Sequence, residues 1–252
     1  MPKNNCPHSS DRQKPAIILV HGFRGSPVGL YEIAKDLRKQ NYQVFMPAIS
    51  PFAGAKKLSD YTPEAYAEFL VDYAKANDLK KPILVGHSMG SIVVAAALSL
   101  YPQSFNRKAI LLSPIANRPA APFRLISPLS ALLPRGVVDY ITTKFLFVPH
   151  NRKLFRKTME ITHACSADHP PSKSEMFRSA KFSTKYCVGD FQLPQETLLL
   201  AGDQDRLVGK KNVCRLATNQ HLETVFLPNC GHLHNYEKPH ETARAIIDFL
   251  EN

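Results

Sequence analysis

The stretch LVGHSMGSIVV, residues 84–94, begins as an apolar run, passes through a turn of small residues and continues with a helical pattern. Its serine, Ser88, admits two interpretations. Serine is a favoured N-cap residue, because its hydroxyl accepts a hydrogen bond from the first helical turn. Alternatively, GHSMG fits the pattern G-x-S-x-G, in which a strained strand-to-helix turn exposes a nucleophilic serine. That turn requires small residues, here Gly86 and Gly90, two positions on either side.

Short apolar runs alternate with helical patterns along most of the chain. The runs are apolar throughout, as expected for parallel strands that are buried on both faces. The segments between them carry apolar residues at the i, i+3, i+4, i+7 spacing of a helix. This alternation predicts an α/β fold with a mostly parallel sheet of about six strands flanked by helices. The six predicted strands are 16–20, 43–47, 82–86, 108–113, 196–202 and 222–228.

One segment, residues 114–190, interrupts this alternation. It contains eight prolines, and residues 113–190 hold twelve Lys and Arg against five Asp and Glu, while the whole chain carries a net charge of +11. Its apolar residues, such as Phe145 and Phe147, argue against the alternative of a disordered linker. We therefore predict a helical lid inserted at 114–190 into a core formed by residues 1–113 and 191–252.

Candidate partners for Ser88 follow two later strands. A serine nucleophile needs a base to remove its proton and a carboxylate to orient that base. Strand 196–202 runs directly into Asp203 and Asp205, and strand 222–228 leads to His232. Because the carboxyl ends of parallel strands meet at one edge of the sheet, we expect these side chains to approach Ser88. The alternative for His232 is a surface histidine without a catalytic role.

Four motifs together carry a family resemblance: HGFRGSP (21–27), GHSMG (86–90), GDQDRLV (202–208) and CGH (230–232). With them the chain resembles the α/β-hydrolase superfamily, most of all its serine carboxylesterase and lipase-like members with a lid. The chain departs from the usual pattern because only a short polar segment precedes the first strand, so we expect a sheet with fewer N-terminal strands.

The resemblance also implies roles for particular residues. It assigns the nucleophile, the acid and the base to Ser88, Asp205 and His232, and it leaves Asp203 to hold the turn. It further assigns the oxyanion hole to the main-chain N–H groups of Phe23 and Met89. His21 is expected to brace that loop rather than to transfer protons.

The expected activity is hydrolysis of small-molecule carboxylic esters, with aliphatic acyl groups favoured by the apolar lid residues. The same triad would also serve a thioesterase or a carbon–carbon bond hydrolase acting on an anionic or carrier-bound substrate. A non-catalytic binding protein on this fold is the alternative from another class. A serine triad requires no cofactor, and none is expected.

Other features of the sequence bear on metal binding, on binding partners and on the cellular compartment. We expect no metal site. Two clusters contain zinc-binding residue types, one formed by His163, Cys165 and His169 and one by His232 and His234. Neither has a second ligand pair at zinc-site spacing. We expect no nucleic-acid partner, because no recognition motif is present. The basic lid has two interpretations: it binds an anionic partner or a membrane surface, or its charge serves only solubility. The polar N-terminus and the five scattered cysteines predict a cytoplasmic protein with free thiols.

Overall fold

The structure, a computed structural model, describes residues 14–118 and 170–252 together with six single positions between them. Those positions are Leu133, Val137, Tyr140, Val148, Glu160 and Ala164.

A six-stranded sheet forms the centre of the described chain, as predicted. The strand order is β2-β1-β3-β4-β5-β6, and each neighbouring pair is parallel. The strand β2 is shorter than the apolar run 43–47 that predicted it. The strands are β1 (Ile17–Val20), β2 (Val44–Phe45), β3 (Ile83–His87), β4 (Ala109–Leu112), β5 (Thr197–Gly202) and β6 (Glu223–Leu227).

Residues 14–118 and 170–252 form seven α-helices, with two 3₁₀ segments at Pro27–Leu30 and Val188–Asp190. Within this described part, none of the helices combines the length and the hydropathy needed to span a bilayer. The helices are α1 (Tyr31–Lys39), α2 (Pro63–Ala76), α3 (Met89–Leu100), α4 (Lys173–Lys185), α5 (Lys210–Gln220), α6 (His234–Glu237) and α7 (Pro239–Glu251).

The helices cover both faces of the sheet, which explains why the strands are apolar on both sides. In β1, Ile17 and Leu19 pack into the cluster that holds the apolar stripes of α1 and α7. Ile18 and Val20 face the opposite cluster, formed with α2, α3 and α5. Successive side chains of a strand point to opposite faces, so a run of consecutive apolar residues supplies two cores at once.

Helix α4 lies inside the predicted insertion. Ser172 begins it with a capping box, because its hydroxyl accepts from the Glu175 N–H and the Glu175 carboxylate accepts from the Ser172 N–H. Phe182 is buried, with its ring centroid 4.7 Å from that of Tyr66 on α2. Helix α4 therefore packs on the core. Most of 114–190 lies outside the described residues, and the lid remains a prediction.

The cysteines of the described residues, Cys187, Cys214 and Cys230, are free thiols, as the scattered spacing predicts. Cys230 is fully buried next to the loop that carries His232, and burial raises the pKa of its thiol. A buried thiol with a raised pKa remains protonated and behaves as a small apolar side chain. Cys6 and Cys165 lie outside the described residues.

Candidate active site

Ser88 lies in a sharp turn between β3 and α3. Its backbone angles are φ 53° and ψ −117°, a left-handed conformation that costs a non-glycine residue about 1–3 kcal/mol. The Ser88 N–H donates to the carbonyl of Leu112 on β4, and the Ser88 carbonyl accepts from the N–H and the hydroxyl of Ser91. The Ser88 hydroxyl makes no capping bond to α3. The helix-cap interpretation of this serine is therefore wrong.

The two glycines of the motif are required by the closeness of backbone atoms. A Cβ atom placed on Gly86 would lie 2.3 Å from the carbonyl oxygen of Gly90. A Cβ atom on Gly90 would lie 2.4 Å from the carbonyl oxygen of Val20, at the end of β1. Both distances are far below van der Waals contact, so any larger residue would displace the turn. The prediction that small residues are needed on both sides of Ser88 is confirmed.

His232 connects Ser88 to Asp205, although the three residues come from different loops. The Nε2 atom of His232 lies 2.9 Å from the Ser88 hydroxyl, and its Nδ1 atom lies 2.8 Å from Asp205 Oδ2. An ionised carboxylate only accepts hydrogen bonds, so Nδ1 carries the proton and Nε2 accepts from the hydroxyl. All three side chains are buried. The structure thus brings together the three residues that the sequence selects.

Asp205 is held in its charged form. Burial opposes ionisation, but the electrostatic attraction of the His232 ring and the hydrogen bond to it outweigh burial and lower the pKa of this carboxyl. The second carboxylate oxygen accepts from the N–H groups of Leu207 and Val208, at 2.9 and 3.0 Å. A carboxylate with both oxygens occupied is fixed in orientation, and it fixes the imidazole of His232 in turn.

Asp203 has a different task. Its side chain is exposed and accepts from the N–H of Cys230 at 3.2 Å, two residues before His232. The Gln204 N–H donates to the carbonyl of Cys230 at 2.9 Å. These bonds join the loop after β5 to the loop after β6. The sequence-based expectation that Asp203 holds a turn agrees with this geometry.

The loop after β1 lies directly against the turn that carries Ser88. A Cβ atom on Gly22 would lie 3.0 Å from the Cβ atom of Ser88. Of the two expected oxyanion donors, Phe23 follows Gly22 and packs its ring edge-on against Phe52, at 5.3 Å between centroids. Met89 is the first residue of α3 and is buried. Their N–H groups belong to the two backbone segments that flank the Ser88 side chain.

His21 braces this loop, as predicted. Its Nδ1 atom donates to the carbonyl of Gly22 at 2.9 Å, and its Nε2 atom accepts from the N–H of Ile49 at 3.1 Å. A neutral imidazole satisfies both contacts, whereas a proton on Nε2 would remove the second. Burial lowers the pKa of His21 to about 4.

Two further histidines of the site were not selected from the sequence. His87, which precedes Ser88, contacts the backbone of His232 through Nε2, at 3.0 Å from the carbonyl oxygen. His234 packs edge-on against His87, with 5.4 Å between the ring centroids, and its Nδ1 atom bonds the hydroxyl of Thr242. His87 occupies a variable position of the G-x-S-x-G pattern, and the pattern therefore carried no signal for it.

No group of three His, Cys, Asp or Glu side chains suited to a metal ion occurs among residues 14–118, 170–252 and the six single positions. Of the discounted zinc candidates, His163, Cys165 and His169 lie outside the described residues.

Comparison with known families agrees with this geometry. The family model described as "Alpha/beta hydrolase family" matches residues 17–245, which is most of the chain. The chain belongs to this family. The match begins at β1 and includes the loops that carry Ser88, Asp205 and His232.

Individual relatives of this hydrolase are distant. It is 23% identical over 258 residues to the uncharacterized hydrolase YugF of Bacillus subtilis, covering 97% of this chain and 93% of that one. It is 24% identical to human monoacylglycerol lipase ABHD6, covering 94% and 75% of the two chains. A thermophilic esterase from Thermogutta terrifontis has a similar fold, with a TM-score of 0.72, 19% identity and 95% and 90% coverage.

The buried neutral histidines predict a loss of stability in mild acid. Burial lowers the pKa of His21 to about 4 and that of His234 to about 3, and it lowers the pKa of His87 well below its usual value. Below about pH 6.5 the unfolded chain binds protons that the folded chain excludes, so the free energy of unfolding falls as the pH falls. For His21 and His234 the loss between pH 6.5 and 5 is on the order of 1–2 kcal/mol each, and His87 changes in the same direction.

The change in the free energy of unfolding with pH is measured by urea unfolding. Circular dichroism follows the transition, because the chain has no tryptophan. The His234→Asn variant should lose less stability between pH 6.5 and 5 than the unmodified protein. The exposed, left-handed His221 provides the control, because asparagine tolerates that conformation and His221→Asn should keep the full slope. If the free energy of unfolding changes equally with pH in all three proteins, His234 does not have the lowered pKa assigned to it.

Proposed function

We propose that this hydrolase cleaves carboxylic esters through an acyl-enzyme intermediate, and that its substrates are aliphatic acyl esters. The observation that carries the proposal is the pair of hydrogen bonds made by His232, 2.9 Å to the Ser88 hydroxyl and 2.8 Å to Asp205. A base within hydrogen-bond reach of a hydroxyl, itself oriented by a carboxylate, is the arrangement that acyl transfer requires.

The proposed reaction has two steps. In the first, Ser88 Oγ attacks the ester carbonyl while His232 Nε2 takes the hydroxyl proton and then delivers it to the leaving alcohol. In the second, a water molecule gives a proton to His232 and attacks the acyl carbon, and His232 passes this proton to Ser88 Oγ as the acid is released. Asp205 remains ionised and stabilises the imidazolium formed in each step.

The tetrahedral intermediate of each step carries a negative oxygen. In this proposal the main-chain N–H groups of Phe23 and Met89 donate to that oxygen, and each donor contributes about 3 kcal/mol. The contact between Gly22 and Ser88 supports this assignment, because it brings the loop after β1 next to the nucleophile. His21 supports it as well, since its two hydrogen bonds join the loop after β1, at Gly22, to the segment after β2, at Ile49.

The acyl preference rests on apolar side chains. Phe23 and Phe52 form a ring pair beside the nucleophile turn, and the predicted lid is rich in phenylalanine and leucine. The names of two relatives, a monoacylglycerol lipase and an esterase, agree with an ester substrate.

Removal of the Ser88 hydroxyl tests the nucleophile. The Ser88→Ala variant should lose kcat for a p-nitrophenyl acyl ester by at least about 10³-fold, because no covalent intermediate can form. Its unfolding transition should remain cooperative. Ser99→Ala, on the same helix α3, is the matched control and should retain activity. Full activity of Ser88→Ala would refute the proposal. A series of ester and thioester substrates of different chain length, measured with the unmodified protein, would define the preferred substrate.

A pair of neighbouring carboxylates tests the orienting acid. Asp205→Asn should lower kcat by about 10³- to 10⁴-fold, since an amide favours the wrong imidazole tautomer. Asp203→Asn keeps an oxygen that accepts from the Cys230 N–H and should stay within about threefold of the unmodified protein. Steady-state kinetics of both variants distinguishes the two aspartates. A larger loss in Asp203→Asn would reverse their assignment.

A further inference from the structure

His87 is a buried imidazole that contacts three parts of the candidate site. It is the last residue of β3 and precedes Ser88 directly, and only 5% of it is exposed. Its Nε2 atom lies 3.0 Å from the carbonyl oxygen of His232. A Cβ atom on Gly22 would lie 3.2 Å from its Nδ1 atom, so the ring also packs beneath the loop after β1.

The direction of the His87–His232 hydrogen bond follows from its acceptor. A carbonyl oxygen only accepts, so the Nε2 atom of His87 carries the hydrogen. Burial, followed by electrostatic interaction with the neighbouring imidazoles of His232 and His234, lowers the pKa of His87 well below its usual value. The ring therefore stays neutral at physiological pH, and it remains a donor at this atom.

His234 supports His87 from the other side. Its ring meets that of His87 edge-on at 5.4 Å, and the ring of His232 lies 5.3 Å from His87. The Thr242 hydroxyl donates to the Lys238 carbonyl at 2.7 Å and accepts from His234 Nδ1 at 3.1 Å. His234 is thereby fixed on α6 and limits the rotation of the His87 ring.

The backbone of the loop that carries His232 is held mainly by the elements around β5 and β6. Asp203 accepts from the Cys230 N–H, and Glu237 accepts from the Gly231 N–H at 3.2 Å. The bond from His87 is different because it connects this loop to the end of β3, directly before Ser88. The His87 side chain thus ties the backbone of His232 to the residue that directly precedes Ser88.

We propose that His87 is a positioning residue, which sets the distance between His232 and Ser88 by donating to the His232 carbonyl. This inference rests on the proposed function, since it assumes that the distance limits proton transfer. A misplacement of about 1 Å between reacting groups can reduce a rate about 100-fold. His87 faces the protein interior rather than a substrate, so its loss should lower kcat and leave KM nearly unchanged.

Two variants of equal side-chain length test the proposal. In His87→Gln, the amide nitrogen replaces Nε2 as donor, whereas His87→Met fills a similar volume without a donor. We expect kcat to fall about 10- to 100-fold in His87→Met, with KM within about threefold. His87→Gln should retain at least about one third of the original kcat. Urea unfolding of both variants establishes that each is folded.

The outcomes separate this inference from the proposed function. Equal kcat values in the two folded variants, either both normal or both reduced, would overturn the positioning role of His87. If His87→Met does not fold, His87→Asn replaces it, because the asparagine amide corresponds to Nδ1 and does not reach the His232 carbonyl. Failure of the proposed function would appear separately, as ester hydrolysis that Ser88→Ala leaves intact.

Discussion

The hydrogen bond between Ser88 and His232 joins side chains that are 144 residues apart, and it depends on the parallel order of the sheet. Parallel strands present their carboxyl ends at one edge, where the loops that follow them meet. Strand β1 brings the loop of His21 and Gly22 to this edge, and β3 brings Ser88. The loops after β5 and β6 bring Asp205 and His232, and the bonds of Asp203 and Gln204 to Cys230 join these two loops.

This convergence supports a backbone conformation that would be unstable by itself. Ser88 has φ 53°, which a serine adopts only when its surroundings impose it. The bonds to Leu112 and Ser91 impose it from two sides, and the absence of side chains on Gly86 and Gly90 leaves room for it. The strain turns the hydroxyl away from α3 and toward His232. The fold and the chemistry therefore depend on the same turn.

Sequence patterns predicted the features that follow from periodicity and motif. Six apolar runs correspond to the six strands, and Ser88 of GHSMG, Asp205 and His232 meet as expected. Asp203, the other aspartate after β5, bonds Cys230 instead. The loop of His21 has the bracing role inferred for it. These predictions succeeded because buried parallel strands, a crowded turn and the need for a base each restrict residue type at particular positions.

Other features depend on tertiary contacts that no local pattern encodes. Helix α5 buries only Val213, Leu216 and Ala217, so its apolar stripe is short and its sequence pattern is weak. The packing of α4 on Tyr66 arises from residues far apart in sequence. The contact of His87 with the His232 carbonyl could not be foreseen either, because a histidine at that position can equally face solvent.

We propose that the environment of Ser88 makes its hydroxyl a nucleophile. Reaction of the folded protein with a fluorophosphonate, followed by peptide mapping by mass spectrometry, measures this directly. We expect one phosphonyl group per chain, carried by the peptide that contains Ser88, and no labelling after unfolding in urea. An absent adduct, an adduct on another residue, or equal labelling of the folded and unfolded chains would contradict it.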